Sequence, residues 1–169
     1  MEHTQELILQ ARDGNREAFA ELYGQIYKDL YRFAYYTLRN AHDAEDVVSE
    51  TVVSAYKQIA NLRQAEAFRG WFFKILSNQC KRKLKEYVNK TVEMPEQLEA
   101  EGTDFIEDIM VRSAFEKLSD EERLIISMHL FAGYSSQETG EILHMSANTV
   151  RSKESRALKK MKNIMEGGR

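Results

Sequence analysis

The chain has 169 residues, of which 43% are hydrophobic and 30% are charged, and its formal net charge is −3. This composition excludes a chain that is disordered throughout, and the length allows one domain or two small ones. The single cysteine, Cys80, excludes an internal disulfide, and no apolar run approaches the roughly 20 residues needed to cross a bilayer. The N-terminal stretch lacks the basic and then apolar layout of a secretion signal. We therefore expect a cytoplasmic protein without direct membrane insertion.

The expected secondary structure is almost entirely α-helical, because the chain has one proline, few glycines and no alternating strand pattern. A first helix is predicted at residues 4–12, and a second begins near Asn15 and stops near Asn40. An apolar stripe runs along the second helix, and we interpret it as core rather than as a stacking platform for bases. The stripe comprises Tyr23, Tyr27, Leu30, Tyr31, Ala34 and Leu38.

An acidic face is predicted on the next helix, at residues 43–59. Asp43, Asp46 and Glu50 are spaced i, i+3 and i+7, so they share one side of this helix. Three interpretations stay open: a solvated face, a docking surface for a basic partner, and a divalent-metal site of a nucleic-acid enzyme. The metal hypothesis is the least favoured, because no further carboxylates or histidines follow at comparable spacing. We therefore predict no metal, no cofactor and no catalytic residue.

A basic face is predicted on a long helix at residues 68–87. The opposite side of this helix is apolar and includes Cys80, which we interpret as a small buried residue rather than a reactive thiol. Basic and amide side chains beside an aromatic cluster suit a phosphate track next to unstacked bases, although core packing remains open for the tryptophan. The candidate nucleic-acid residues here are Trp71, Lys74, Asn78, Lys81 and Arg82.

An acidic stretch that contains Pro95 divides the chain. No lysine or arginine occurs between Glu93 and Asp108, so residues 93–103 are predicted to be a linker between domains at 1–92 and 104–169. A helix at 121–131 then follows a cap and an acidic first turn at 118–122. The fold class that we predict is thus all-α, with two small helical domains joined by an acidic linker.

The stretch at residues 134–162 predicts a helix-turn-helix within the C-terminal domain. A short helix follows the capping candidates Ser135 and Ser136, a break falls at residues 144–145, and a second helix starts after Ser146. One polar face of the second helix favours contact with a DNA groove, while a solvated amphipathic surface helix is the alternative. The face comprises Asn148, Arg151, Ser152, Ser155 and Lys159, with Arg156 on its flank.

Three segments in this order resemble the extracytoplasmic-function group of bacterial sigma factors, the small promoter-specificity subunits of RNA polymerase. They are DAEDVVSETVVSAYKQI at 43–59, AFRGWFFKILSNQCKRKL at 67–84, and LSDEERLIISMHLFAGYSSQETGEIL with MSANTVRSKESRALKKM at 118–161. The resemblance covers nearly the whole chain, and the absence of a middle domain fits this compact group.

The resemblance implies roles for the faces already identified. It implies a region-2-like domain at 1–92 in which Asp43, Asp46 and Glu50 dock on core RNA polymerase. The basic face of the helix at 68–87 would then hold and melt the minus-ten element, and the region-4-like helix-turn-helix at 104–169 would read the minus-thirty-five element of promoter DNA. An anti-sigma factor, often membrane-bound, is implied as a further partner. An ordinary helix-turn-helix regulator that binds duplex DNA without polymerase is the alternative.

The chain departs from the family pattern at positions in the helix-turn-helix. Glu154 stands where the pattern and the inner stripe both expect an apolar side chain, and a buried carboxylate is costly without a partner. We therefore expect Glu154 to reach solvent or a basic group, or the helix to be bounded differently. His144 stands where glycine is common, and Thr139 and Gly140 replace a pair of better helix formers.

Overall fold

The computed structural model describes the backbone of residues 2–89 and 105–167 and the side chains of residues 2–89 and 109–167. The predicted linker at 93–103 and the predicted domain start at 104 lie outside these ranges. Within them the secondary structure is helical, which confirms the all-α prediction. The elements in chain order are α1 (Glu2–Arg12), α2 (Arg16–Leu38), α3 (Ala41–Gln58), α4 (Phe68–Asn89), α5 (Phe105–Glu116), α6 (Asp120–Leu130), α7 (Ser136–Leu143) and α8 (Ala147–Met165), with 3-10 turns at Ile59–Asn61 and Ala65–Ala67 between α3 and α4.

Side-chain caps determine where most of these helices begin. The Asn15 side chain accepts a hydrogen bond from the amide of Ala18 (3.1 Å), as its position before α2 predicts. Asn40 accepts from the amide of Asp43 (2.9 Å) and therefore starts α3 at Ala41, two residues before the predicted start at 43. The N-caps of α6, α7 and α8 are Ser119, Ser135 and Ser146.

Helix α2 is the centre of the N-terminal domain and packs against α1, α3 and α4. Leu30 and Phe33 of α2 have no exposed surface, and the Phe33 ring lies 5.9 Å from the equally buried ring of Phe73 of α4. The aromatic stripe predicted on α2 is only partly core, since Tyr27 keeps 43% of its surface exposed. Its ring stacks on Tyr31 at a centroid distance of 6.3 Å, so the ladder of tyrosines runs along the edge of the core.

The C-terminal domain is organised around α8, which packs against α5, α6 and α7. Its buried side is formed by Val150, Ala157 and Met161, whereas Leu158 is exposed. In the part of the chain that the structure describes, no helix is both long and apolar enough to cross a membrane.

The two domains are docked on each other and their cores are continuous. The Tyr36 ring at the end of α2 stacks on Phe131, which follows α6, at 5.5 Å and lies 5.0 Å from Phe115 of α5. Since Tyr36 belongs to the first domain and the two phenylalanines to the second, the contact joins them through aromatic packing. Residues 2–89 and 109–167 therefore form one body in this structure.

Candidate nucleic-acid interfaces

All the residues predicted for the groove-binding surface are exposed on one side of α8. We call this surface, which comprises Asn148, Arg151, Ser152, Ser155, Arg156 and Lys159, the α8 face. The Arg151 guanidinium donates to the side-chain oxygen of Asn148 (2.7 Å), and Arg156 Nε donates to the carbonyl oxygen of Ser152 (3.3 Å). Two arginines and an amide, aligned and open to solvent, can form the bidentate contacts by which these groups distinguish guanine and adenine.

Helices α7 and α8 and the turn between them form a helix-turn-helix. The path of this turn explains why residue 140 is a glycine. A β-carbon at that position would collide with the carbonyl oxygen of Met145, whose amide donates back to the carbonyl oxygen of Gly140 (2.9 Å). The close approach of the turn therefore requires a glycine, whereas the sequence indicated only a poor helix former at this position. His144 ends α7 with φ of 59°, a left-handed conformation in which a side chain is strained.

The mostly buried carboxylate of Glu154 has a basic partner in the structure. Only 14% of its side chain is exposed, and its carboxylate lies 3.3 Å from Nδ1 of His129 at the end of α6. The expectation of a basic partner is confirmed, while the suggestion of a shifted boundary is wrong, because α8 runs without a break from Ala147 to Met165. The same two helices are joined by Lys153 to Glu121 and by Lys160 to Glu122 (2.9 Å), so charge pairs flank this contact.

The structure exposes only part of the basic surface predicted on α4. We call Trp71, Lys74, Asn78, Lys81 and Arg82 the α4 face. Lys74, Asn78 and Arg82 are exposed at i, i+4 and i+8, so they form a continuous row on the helix surface. Trp71 is half-buried and contacts Phe68 and Phe72 at centroid distances of 6.1 Å. Lys81 turns towards α7 and donates to the carbonyl oxygen of Ile142 (3.4 Å). In the docked arrangement, therefore, only part of the α4 face is available.

The acidic residues on α3 also differ in their surroundings. Asp43 accepts a hydrogen bond from the Tyr87 hydroxyl of α4 and has Lys83 Nζ at 4.0 Å, which leaves 14% of its side chain exposed. Asp46 is 55% exposed beside His42, and Glu50 is exposed. Burial, and then the hydrogen bond to Asp43, raise the pKa of Tyr87, so this hydroxyl stays protonated and donates. The sequence analysis missed this bond, because Tyr87 and Asp43 lie on different helices.

Two other candidate chemistries concern metal binding and the cysteine. Among residues 2–89 and 109–167, no group of three or more histidine, cysteine, aspartate or glutamate side chains could hold a metal ion. Cys80 is fully buried in α4, and this burial raises the pKa of its thiol, in agreement with the interpretation as a packing residue.

Both domains match models of one protein family. Residues 22–88 match the model described as sigma-70 region 2, and residues 114–163 match the model described as sigma-70, region 4. The α4 face and the acidic side of α3 lie inside the first match, and the α8 face lies inside the second. Each predicted site is thus within a matched segment.

Curated relatives match over most of their length. The chain is 28% identical to the RNA polymerase sigma factor SigV of Bacillus subtilis, over 80% of this chain and 83% of the relative. It is 29% identical to the ECF RNA polymerase sigma factor SigW of the same organism, over 86% of this chain and 88% of the relative. The similarity therefore spans both domains.

Solved structures show a similar arrangement of helices. CnrH, in its complex with the cytosolic domain of CnrY, superposes with a TM-score of 0.71 and 25% identity, and 98% of each chain is covered. The sigma factor RpoE of Bartonella quintana, in complex with the anti-sigma factor NepR, has a TM-score of 0.71 and 21% identity over 89% of this chain and 98% of RpoE. The latter similarity supports the fold alone.

Proposed function

This chain belongs to the sigma-70 family, in its ECF group, and from that membership we propose which of its surfaces bind core polymerase and which contact the promoter. Like its relatives, the protein is a sigma factor that binds core RNA polymerase and directs promoter-specific initiation of transcription. Sigma factors act in initiation without catalysing a reaction themselves. The assignment of individual residues below is our proposal.

The observation that carries the proposal is the presence of two separate exposed basic faces, one in each matched domain. The α8 face lies in the region 4 segment and the α4 face in the region 2 segment. A regulator that used only its helix-turn-helix would have no need of the second face. The separation therefore supports a subunit that contacts two promoter elements over the alternative of a duplex-binding regulator.

The α8 face reads the minus-thirty-five element in the major groove. Arg151 and Arg156 supply planar guanidinium groups, and Asn148 supplies an amide, which are the side chains that form specific pairs with guanine and adenine. Ser146 caps the helix, so the N-terminal turn of α8 is fixed at the edge of this face. Ser152, Ser155 and Lys159 complete it with contacts to bases or phosphates.

The α4 face holds the minus-ten element as its strands separate. Lys74 and Arg82 bind the backbone of the opened strand, and Asn78 between them offers an amide to a base. Trp71 and Lys81 belong to this face, but each already has a contact inside the protein.

The exposed acids of α3 dock on core polymerase. Asp46 and Glu50 present carboxylates to solvent and suit a basic partner surface. Asp43 has a different role, because its carboxylate is occupied by Tyr87 and approached by Lys83 of α4. It holds α3 against α4 and so positions the docking surface relative to the α4 face.

The remaining assignments concern partners, location and domain boundaries. CnrH was solved with the cytosolic domain of CnrY, and a similar partner, an anti-sigma factor with or without a membrane anchor, fits this chain. The protein works in the cytoplasm, where core polymerase and promoter DNA are found. The domains are 1–92 and 104–169, joined by the linker at 93–103.

Transcription by reconstituted polymerase tests the proposal. Core polymerase mixed with this protein and a library of promoter fragments should yield discrete run-off transcripts that core polymerase alone does not make. The protein should also co-elute with core polymerase on a sizing column. Absence of transcripts from every promoter, together with no co-elution, would overturn the proposal. Tight binding to a palindromic duplex without polymerase would favour the regulator instead.

A further inference from the structure

The turn between α7 and α8 holds one residue in a costly backbone conformation. His144, which directly follows the last residue of α7, has φ of 59° and ψ of 47°, in the left-handed region. Its amide and the amide of Met145 (2.9 Å) both donate to the carbonyl oxygen of Gly140, so two hydrogen bonds fix the backbone there. Glycine adopts this conformation freely, whereas a side chain is strained in it. The backbone of the turn therefore favours glycine at position 144 and does not explain a histidine.

The imidazole of His144 has no partner among the described residues. The residue is exposed, and no hydrogen bond or ion pair joins its ring to another described side chain. The other three histidines of the chain each lie within 3.4 Å of a carboxylate. Residues that keep a sparsely populated backbone conformation are concentrated at functional sites. A strained, exposed histidine without a partner inside the protein indicates a ligand outside it.

His144 lies at the edge of the surface that reads DNA. Ser146, two residues later, caps α8, and the α8 face begins at Asn148. In a helix-turn-helix the N-terminal residues of the second helix contact base edges on the floor of the major groove. The groove is about 12 Å wide and about 8.5 Å deep, so phosphates at its rim lie roughly 10 Å from a base edge at the centre of the floor. Four residues of chain span at most about 14 Å. With Asn148 at a base, His144 is therefore within reach of a rim phosphate.

A protonated histidine suits a phosphate as its ligand. Both ring nitrogens donate hydrogen bonds when the ring is charged, and histidine changes its charge between about pH 5 and pH 8. Lysine and arginine stay charged throughout this range, so the other basic residues of the helix-turn-helix bind phosphates at either end of it. A phosphate contact made by histidine is thus distinguished from theirs by its dependence on pH.

Helix α7 packs against α4, α6 and α8, and each of these helices carries a charged group that can act on the imidazole. Glu141, three residues earlier on α7, favours the protonated ring. Lys81 of α4, which contacts α7, and Arg151 of α8 oppose it. His129 of α6 is the other histidine of this domain and is a second source of pH dependence. A test of His144 has to cancel the contribution of His129.

We propose that the protonated imidazole of His144 binds a backbone phosphate of the minus-thirty-five element at the rim of the major groove. The inference rests on the proposed function, in which the α8 face reads that element. The charged ring adds one phosphate contact to those made by lysine and arginine. Because only the protonated ring is charged, this contact strengthens promoter binding at acidic pH and is lost as the pH rises and the ring becomes neutral.

Promoter binding at two pH values tests the proposal. The complex of core polymerase with wild type, His144→Asn or His144→Lys is titrated with a cognate promoter at about pH 6 and at about pH 8, each at several salt concentrations. Asparagine has no charge and tolerates the left-handed conformation, while lysine keeps its charge at both pH values. The ratio of the wild-type affinity to that of His144→Asn cancels the effects of His129 and of the polymerase. His3→Asn, at an exposed histidine of the other domain, is the matched control and should bind like the wild type at both pH values.

The wild type should bind about twofold to fivefold more tightly than His144→Asn at the acidic pH, which is the range for one exposed ion pair, and nearly alike at the alkaline pH. At the acidic pH its slope of log affinity against log salt concentration should be steeper by about 0.9, as expected for one phosphate contact. His144→Lys should show the steeper slope at both pH values. Equal slopes for wild type and His144→Asn at the acidic pH would overturn the proposal. That result is also expected if the ring only stabilises the C-terminal end of α7, which would change the free energy of unfolding alone.

Neutral phosphate analogues locate the contact. Methylphosphonate is placed at one position at a time across the minus-thirty-five element of the cognate promoter. At one position the replacement should weaken wild-type binding at the acidic pH by the same factor as His144→Asn, and it should have no further effect on that variant. If every replacement weakens both proteins equally, His144 does not bind a phosphate. Failure of the wild-type complex to bind or transcribe any promoter would instead overturn the proposed function.

Discussion

Helices α4 and α8 both carry basic faces that were predicted from sequence, but the two faces differ in how much of them is exposed in the structure. Every residue of the α8 face is exposed. On the α4 face Lys74, Asn78 and Arg82 are exposed, whereas Trp71 packs against Phe72 of the same helix and Lys81 contacts α7 of the other domain. Helix α8 packs mainly against α5, α6 and α7 of its own domain, while α4 also packs against α6 and α7 of the other domain. Periodicity locates an exposed face reliably where a helix has partners on one side, and less so where a second domain docks.

The largest effect is expected on the α8 face. Arg156→Ala should weaken promoter binding by about 1–3 kcal/mol if the guanidinium pairs with a base edge, and it should relax specificity at one position of the minus-thirty-five element. Competition binding by the polymerase complex with single-base variants of a cognate promoter measures this. Arg32→Ala, which also removes an exposed helical arginine, is the matched control. A uniform loss across all promoter variants would contradict base reading by Arg156.

The α4 face should behave differently if, as we propose, it contacts phosphates. Lys74→Ala combined with Arg82→Ala should weaken binding to all promoters alike. It should also reduce the slope of the logarithm of affinity against the logarithm of salt concentration by about 1.4–1.8, corresponding to two lost contacts. Titration of the polymerase complex with opened promoter DNA at several salt concentrations measures the slope. An unchanged slope, or a loss confined to one sequence, would remove the distinction between the two faces.

Much of the fold was predictable because helix boundaries follow local rules. Ser135 and Ser146 cap the helices of the helix-turn-helix as predicted, since a serine followed by the first helical turn is a strong local signal. The basic partner of Glu154 was also expected on physical grounds. Its identity, His129, was not, because it depends on how α6 and α8 pack.

The contacts between the domains could not be predicted from sequence. Arg123 stands in an acidic, polar helix start, where an arginine is ordinarily solvated, and its burial results from docking on the end of α2. The contact of Asp43 could not be predicted either. Its spacing places it on the same face as Asp46 and Glu50, but its carboxylate accepts a hydrogen bond from Tyr87 of another helix. Spacing assigns residues to a face of one helix but does not indicate which neighbour covers it.

Two matched substitutions distinguish the role of Asp43 from that of Asp46 on α3. Asp43→Asn should lower the free energy of unfolding by about 1 kcal/mol, because the hydroxyl of Tyr87 loses a charged acceptor. Asp46→Asn should change that free energy by less than about 0.5 kcal/mol, since its partner His42 is a surface neighbour. It should instead weaken binding to core polymerase, most at low salt. Denaturant titration and a polymerase-binding assay measure the two quantities, and identical profiles for the two variants would contradict the division.

The smallest effect concerns the turn before α8. His144→Gly should raise the free energy of unfolding by about 0.5–1 kcal/mol, because relief of left-handed strain exceeds the added entropy of glycine in the unfolded chain. Denaturant unfolding measures the change. A control at Ser146, Ser146→Gly, should lower the same free energy by a few tenths of a kcal/mol because it removes the cap of α8. Destabilisation by His144→Gly would indicate that the imidazole makes a contact worth more than the strain.

The most direct test of two separate DNA-reading faces is one matrix of transcription measurements. Wild type, Arg156→Ala and the Lys74→Ala, Arg82→Ala double variant are each assayed with core polymerase on a cognate promoter and on two promoters with either the minus-thirty-five or the minus-ten element replaced. Arg156→Ala should lose little further activity when the minus-thirty-five element is already replaced but should remain sensitive to the minus-ten element, while the double variant should lose activity on every promoter. If both proteins respond alike to both replacements, the two faces do not act on separate elements.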